Sequence, residues 1–277
     1  MKFTFTVTKS AVKETYEKVV DKAVKDTALK GFRKGQAPRD MVIKAVGENK
    51  LQQQAIEMAL PEAYTKEVKK KKLKPVSYPK IDLKSGTPGS DFVFEAEVAE
   101  APEVKLGDYE KKLKGEVSKS KIWTPEKGDK DAVPNPQESE QQKNEVILKC
   151  LLDTVKVEVP ELLVEREVNR MLSRLLDQVD KLGLKIDDYL ASSNQTQESL
   201  KKEYEKSAKQ NLALEFILME VAKDKKVEAT AEQVDSFIAS VGDEKLRKQL
   251  QSPEERGNIY VMLTKQNVIQ KLQEIAS

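Results

Sequence analysis

The first eight residues alternate. Phe3, Phe5 and Val7 fall on one face and Lys2, Thr4 and Thr6 on the other, the period of a half-buried strand. From Val12 the spacing lengthens to threes and fours through Tyr16, Val19, Val20 and Ala23, which predicts a helix capped by Ser10 and running to about Leu29. A short apolar helix over 41–46 follows, opened by Pro38 and closed by Gly47. Residues 48–72 read as a long helix with Leu51, Ala55, Met58 or Ala59, and Ala63 on one stripe and Ile56, Leu60, Tyr64 and Val68 beside it; Pro61 should kink it or start its second half. Two strands are expected near 75–84 and 91–99, joined by the turn-rich segment 85–90.

The second half is helical in pattern. A helix from about Glu145 carries Val146, Ile147, Cys150 and Leu151, and an extended joint over 155–159 precedes Pro160. Pro160 opens a helix with Val164, Val168, Met171, Leu172, Leu175, Val179 and Leu182 on its stripe, ended by Gly183. A second long helix spans 196–226, and its segment 212–222, LALEFILMEVA, is apolar on most sides, which demands burial all round. Thr230 with Gln233, and Ser252 with Glu255, offer capping boxes for the last two helices.

Between the halves, residues 118–145 hold only Ile122, Trp123, Ala132 and Val133 as non-proline apolar residues, too few for a core of their own. The segment reads as a linker, with Trp123 as a local anchor. The expected architecture is multidomain: an N-terminal α+β domain of antiparallel strands with long helices over 1–112, a linker over 113–144, and an all-α C-terminal domain with helical arms over 145–277.

Composition narrows the chemistry. The 277 residues include no His and a single Cys, Cys150, so Ser-His and Cys-His nucleophile pairs, imidazole bases and His-bearing metal sites are excluded. A lone Cys forms no intrachain disulfide, and its place on an apolar stripe predicts a buried structural thiol. Lys and Arg total 49 against 47 Asp and Glu, a net +2 that advertises no nucleic-acid partner. The start alternates where a secretory leader would be continuously apolar, and no run is long enough for a membrane span. A cytoplasmic chain without catalytic residues, metal or cofactor is expected, with no phosphate-binding glycine loop for a nucleotide.

One octapeptide stands out. Residues 31–38 read GFRKGQAP: Gly31 and Gly35 bracket Phe32, Arg33 and Lys34, and Pro38 closes the loop. The glycines can take positive φ and tighten the turn. Lys25, Lys30, Arg33, Lys34, Arg39 and Lys44 face only Asp26 and Asp40 over 25–44, a local +4 suited to phosphate or an acidic surface. The competing reading is an ordinary interhelical turn with Phe32 folded onto the core. A second basic run, Lys69 to Lys72, reads as a solvated helix end.

The GFRKGxAP pattern between two helices resembles the signature loop of trigger factor, the bacterial chaperone family that docks beside the ribosomal exit tunnel. The segments LKPV at 73–76, DFVFEAEV at 91–98 and APEV at 101–104 are similar to the strands closing that family's ribosome-binding domain, and VEVPELLVERE at 157–167 resembles the entry into its helical chaperone domain. The resemblance implies ribosome docking by Phe32, Arg33 and Lys34, with Gly31, Gly35 and Pro38 shaping the loop. It also implies nascent or unfolded polypeptides as partners, with self-association off the ribosome left open and client-binding residues unassigned. The family's FK506-binding-type isomerase domain should begin near residue 118, where no such sequence is found, so no prolyl isomerase activity is expected. The alternatives are an isomerase by family analogy and a ribosome- or RNA-binding module that holds no client.

Overall fold

The computed structural model describes residues 1–121 and 136–276, with side chains described over 1–116 and 141–276. The chain forms two compact units, Met1–Ala101 and Pro102–Ser277.

The first unit pairs one sheet with one helical layer. Strand β1 (Lys2–Val7) leads into α1 (Lys9–Asp26), α2 (Arg39–Val46) and α3 (Glu48–Lys71), and the hairpin of β2 (Lys80–Ser85) and β3 (Phe92–Glu97) completes the sheet in the order β1-β3-β2. Both contacts of β3 are antiparallel, with Phe5 and Leu83 flanking Phe94. The buried face of β1 and β3, Phe3, Phe5, Val7, Phe92, Phe94 and Ala96, meets Ala59 and its neighbours on α3. Tyr64 stacks on Phe3 at 6.2 Å and meets Phe5 edge-on at 6.0 Å, pairs worth about 0.5–1.5 kcal/mol each beyond area burial. Behind them α1 lies on α3 through Val19, Val20, Leu51 and Ala55, and Thr15 donates a hydrogen bond to the Ala55 carbonyl at 2.8 Å.

Several boundaries differ from the periodicity. Thr8, not Ser10, caps α1, accepting from the Ala11 amide, and the helix stops at Asp26, three residues early. Helix α3 continues through Pro61; Pro61 and Glu57 both lie on the exposed side, so the carbonyl that loses its helical donor is open to water. The strands are shorter than expected, because β2 begins only after Pro79.

Among the described residues the second unit is built of helices: α4 (Tyr109–Lys121), α5 (Pro136–Thr154), α6 (Glu161–Lys181), α7 (Ile186–Ser192), α8 (Gln197–Lys225), α9 (Ala231–Ser240), α10 (Glu244–Leu250) and α11 (Pro253–Ala276). Its main core joins α4, α5, the C-terminal half of α8 and the end of α11 through Leu113, Ile147, Leu151, Ile217, Val221 and Leu272. One arm is α6 and α7 against the first half of α8, packed by Leu175, Val179, Leu190 and Leu200; the other is α9 and α10 against the start of α11.

The first compact unit ends at Ala101, and Tyr109 and Leu113, which the sequence groups with the expected 1–112 domain and the linker, are built into the core of the second. The segment 113–144 is helical at both ends, through Lys121 and from Pro136, while Trp123 lies outside the described residues. Burial all round fails for 212–222: Ile217, Leu218, Val221 and Ala222 are buried, but Leu212, Leu214, Phe216 and Met219 are half-buried and Glu215 reaches Lys265 at 2.8 Å. Helices α5, α6 and α11 pack along part of the α8 surface only.

Candidate functional site

The 31–38 loop is built from two consecutive tight turns. The Phe32 amide donates to the Leu29 carbonyl at 3.0 Å and the Gln36 amide to the Arg33 carbonyl at 2.9 Å. Each turn has glycine at its third position, Gly31 at φ +93° and Gly35 at φ +81°, the sign a type II turn requires there. The sequence carries both turns as a repeated Lys-Gly pair, Lys30-Gly31 and Lys34-Gly35.

The base is fixed from several sides. Ala37 is buried and Pro38 caps α2, its carbonyl accepting from the Met41 and Val42 amides. Arg39 bridges to Glu17 and, at 3.4 Å, to Asp21, carboxylates one turn apart on α1. That clamp removes Arg39 from the cations available to a partner. Beside it, burial pushes the Tyr16 phenol upward, helped by the charges of Glu48 and Glu17. The glycines, by contrast, are not crowded: a Cβ on Gly31 would meet nothing within 4 Å, and one on Gly35 only the Lys25 backbone at 3.8 Å. Backbone conformation, not space, selects glycine at both.

The tip is open. Phe32 keeps 38% of its surface exposed, against the 8% or less of the core phenylalanines, and Lys30, Arg33 and Lys34 are exposed around it. No described carboxylate pairs with Arg33 or Lys34, and Met41 on α2 adds a second exposed apolar side chain. The result is an apolar plug among uncompensated cations on a braced base. By contrast, Lys70 and Lys71 are held near Glu67 at 3.7 Å, as befits a helix end, and Lys71 lies 5.8 Å from the centre of the Phe3 ring.

Charge is also partitioned between the units, which the near-neutral total conceals. The first carries 20 Lys and Arg against 14 Asp and Glu, the second 29 against 33. No group of acidic, Cys or His side chains among the described residues is arranged to hold a metal. Cys150 is buried, its thiol pushed up by burial, with Sγ 3.9 Å from Thr154. No described helix is long and apolar enough to cross a membrane.

The most connected polar cluster lies in the second unit. The Tyr109 hydroxyl donates to Asp224 at 3.2 Å, and Lys225 bridges Asp224 at 3.0 Å and Glu110, its ammonium 5.8 Å from the centre of the Tyr109 ring. Burial first, and then the neighbouring carboxylates, push the phenol up to about 12 against the opposing effect of Lys225. The cluster ties α4 to the end of α8 and presents no open face of reactive groups.

Two family models cover the chain: the bacterial trigger factor protein model matches residues 1–131 and the trigger factor C-terminus model residues 135–274. The chain belongs to the trigger factor family. Among its relatives, the trigger factor of Streptococcus mutans serotype c is 40% identical over 121 residues, 44% of this chain and 28% of that protein. The trigger factor of Streptococcus pyogenes serotype M5 is 39% identical over 146 residues, 53% of this chain and 33% of that protein. The matched stretch thus spans about a third of these curated relatives. A solved structure described under "Promiscuous Substrate Recognition in Folding and Assembly Activities of the Trigger Factor Chaperone" shares the fold at TM-score 0.59 and 14% identity, covering 99% of this chain and 96% of that one. The two family models leave only residues 132–134 between them, and α4 and α5 are separated by 14 residues, too few between the two matched regions for an isomerase domain.

Proposed function

We propose that the chain is an ATP-independent chaperone that docks at the ribosomal exit tunnel through the 31–38 loop and holds nascent or unfolded chains against its helical unit. The observation that carries the docking role is the exposed Phe32-Arg33-Lys34 tip, braced by Ala37, Pro38 and the Arg39 clamp on the positively charged unit. An apolar side chain among unpaired cations can fill a protein crevice while the charges meet phosphate or acidic residues. Gly31, Gly35 and Pro38 act by holding that shape.

The holding role draws on the arms. The half-buried face of α8 and the exposed Leu176, Leu182 and Leu184 around the end of α6 give apolar surface interspersed with charge. Adaptable contacts of this kind suit clients of varied sequence. The chain works without prolyl isomerase activity, as a cytoplasmic protein.

Suppression of aggregation by the full chain tests the holding role. A denatured protein diluted into a few-fold molar excess of the chain is expected to scatter less light, with no change on adding ATP. Undiminished scattering, with ribosome binding intact, would leave a docking module that holds no client. Catalysis of a proline-limited refolding reaction at substoichiometric chain, abolished by a substitution within it, would restore the isomerase reading.

A further inference from the structure

Strand β2 is a sheet edge, with β3 on one side and no described strand on the other. The register shows which of its backbone groups are unused. Met1 and Val98 exchange both backbone hydrogen bonds, so by the alternation of an antiparallel ladder Phe3 and Phe5 bond to Ala96 and Phe94. The groups of Glu97 and Glu95 therefore serve β2, at Lys80 and Asp82. Ile81 and Leu83 are left with amide and carbonyl turned outward, and no described residue bonds to them.

One side chain at this edge is open as well. Ile81 and Leu83 lie opposite Ala96 and Phe94 and so on the helix-facing side; Ile81 is half-buried against that core, whereas Leu83 lies beyond it. Leu83 is 55% exposed, and Val76 and Tyr78 on the approach are exposed too. Unused backbone groups beside exposed apolar side chains such as Leu83 and Tyr78 are what an extended polypeptide adds to.

A second copy fits this edge poorly. Pairing β2 with its own counterpart about Asp82 sets Asp82 against itself and Lys80 against Lys84. Pairing about Leu83 puts the register shift at Lys84 into both strands of the pair, whereas a peptide brings no irregularity of its own, and pairing about Ile81 brings in Pro79, which has no N–H to give. The other face of the strand carries Lys80, Asp82 and Lys84 in alternation, a positive, negative, positive row in which Lys84 also reaches back to Glu95 at 2.9 Å.

We infer that β2 takes up an extended, unstructured polypeptide segment whose apolar residues alternate with charges in the order acidic, basic, acidic. Its apolar residues lie beside Ile81 and Leu83, and its charges oppose Lys80, Asp82 and Lys84. This deepens the client-holding reading, and it rests on that reading for the segment's identity as an unfolded client.

The test uses the full chain and a blocked peptide, Thr-Glu-Val-Lys-Val-Glu-Thr, with amide hydrogen exchange read residue by residue. At saturating peptide the Ile81 and Leu83 amides are expected to exchange at least about tenfold more slowly. The charge-reversed peptide, Thr-Lys-Val-Glu-Val-Lys-Thr, is expected to bind about threefold to tenfold more weakly at low salt. Leu83→Pro removes one outward N–H while sparing the bonds to β3, and is expected to abolish binding. Leu83→Lys keeps the backbone and is expected to weaken binding, which covers the case in which the proline variant fails to fold. Native-like binding by Leu83→Lys and by a folded Leu83→Pro, protection confined to other amides, or no binding at millimolar peptide would overturn the inference. Protection that rises with chain concentration in the absence of peptide would assign the edge to a second copy and overturn it as well. If the chain suppresses aggregation while the edge stays unprotected, this inference fails alone. If the edge binds peptide while aggregation proceeds, the chaperone reading fails and the peptide site stands.

Discussion

Gly86 illustrates how one residue holds the first unit together. It sits at φ +152° between β2 and β3, and a Cβ there would drive into the ring and backbone of Phe92, a buried core residue. Gly86→Ala is expected to destabilise the unit by about 1–3 kcal/mol, read as a lower midpoint in urea unfolding. Tyr109 gives a pH signature instead. Its phenol ionises near 10 when unfolded and near 12 in the fold, so between those values the unfolded chain has released a proton that the native chain keeps. Stability is therefore complete below pH 10 and falls as pH rises toward 12. Lys225, raised chiefly by its hydrogen bond to Glu110, acts in the same direction. Tyr109→Phe should flatten the Tyr109 part of that decline; an unfolding series from pH 9 to 12 with the same slope in both proteins would contradict the assignment.

Elements were legible where the sequence carried a local rule. The capping box of Thr230 and Gln233 is complete, with the Gln233 amide donating to Thr230 at 3.2 Å and the Thr230 amide to Gln233 at 2.9 Å. Thr230→Ala is expected to cost about 1 kcal/mol in the arm formed by α9, α10 and α11, measurable as faster amide exchange in α9. Long amphipathic stripes such as that of α6, and the stops at Gly47 and Gly183, were equally readable. The short helices α7 and α10 were not, since seven residues hold too few periods to register. Helix α4 is hard to read because, among its described side chains, only Tyr109 and Leu113 are buried in a strongly charged run. In the loop, the glycines and the exposed tip could be read, but the Arg39 clamp could not: it depends on α1 presenting Glu17 and Asp21 to the start of α2. The same limit applied to α8, whose apolar run looked like core and is only half covered. If that exposure serves clients, Leu182→Glu with Leu184→Glu, at exposed positions, should leave the fold intact and weaken aggregation suppression severalfold. Unchanged suppression would move the holding surface elsewhere.

At the scale of the whole molecule, the near-zero net charge is an average over two unlike units. An excess of six positive charges falls on Met1–Ala101 and of four negative charges on the remainder, so only the first suits phosphate or an acidic surface. The family membership gives the fold, and the split of charge is what the proposed docking through the loop-bearing unit would use. The most direct measurement is co-sedimentation with ribosomes carrying nascent chains, comparing the native chain with the combined Phe32→Ala, Arg33→Ala and Lys34→Ala variant across a salt series. The native chain is expected to pellet and to be released progressively by salt, with the variant's affinity lower by at least about tenfold at low salt. Equal pelleting of the two across the series would contradict docking through the loop.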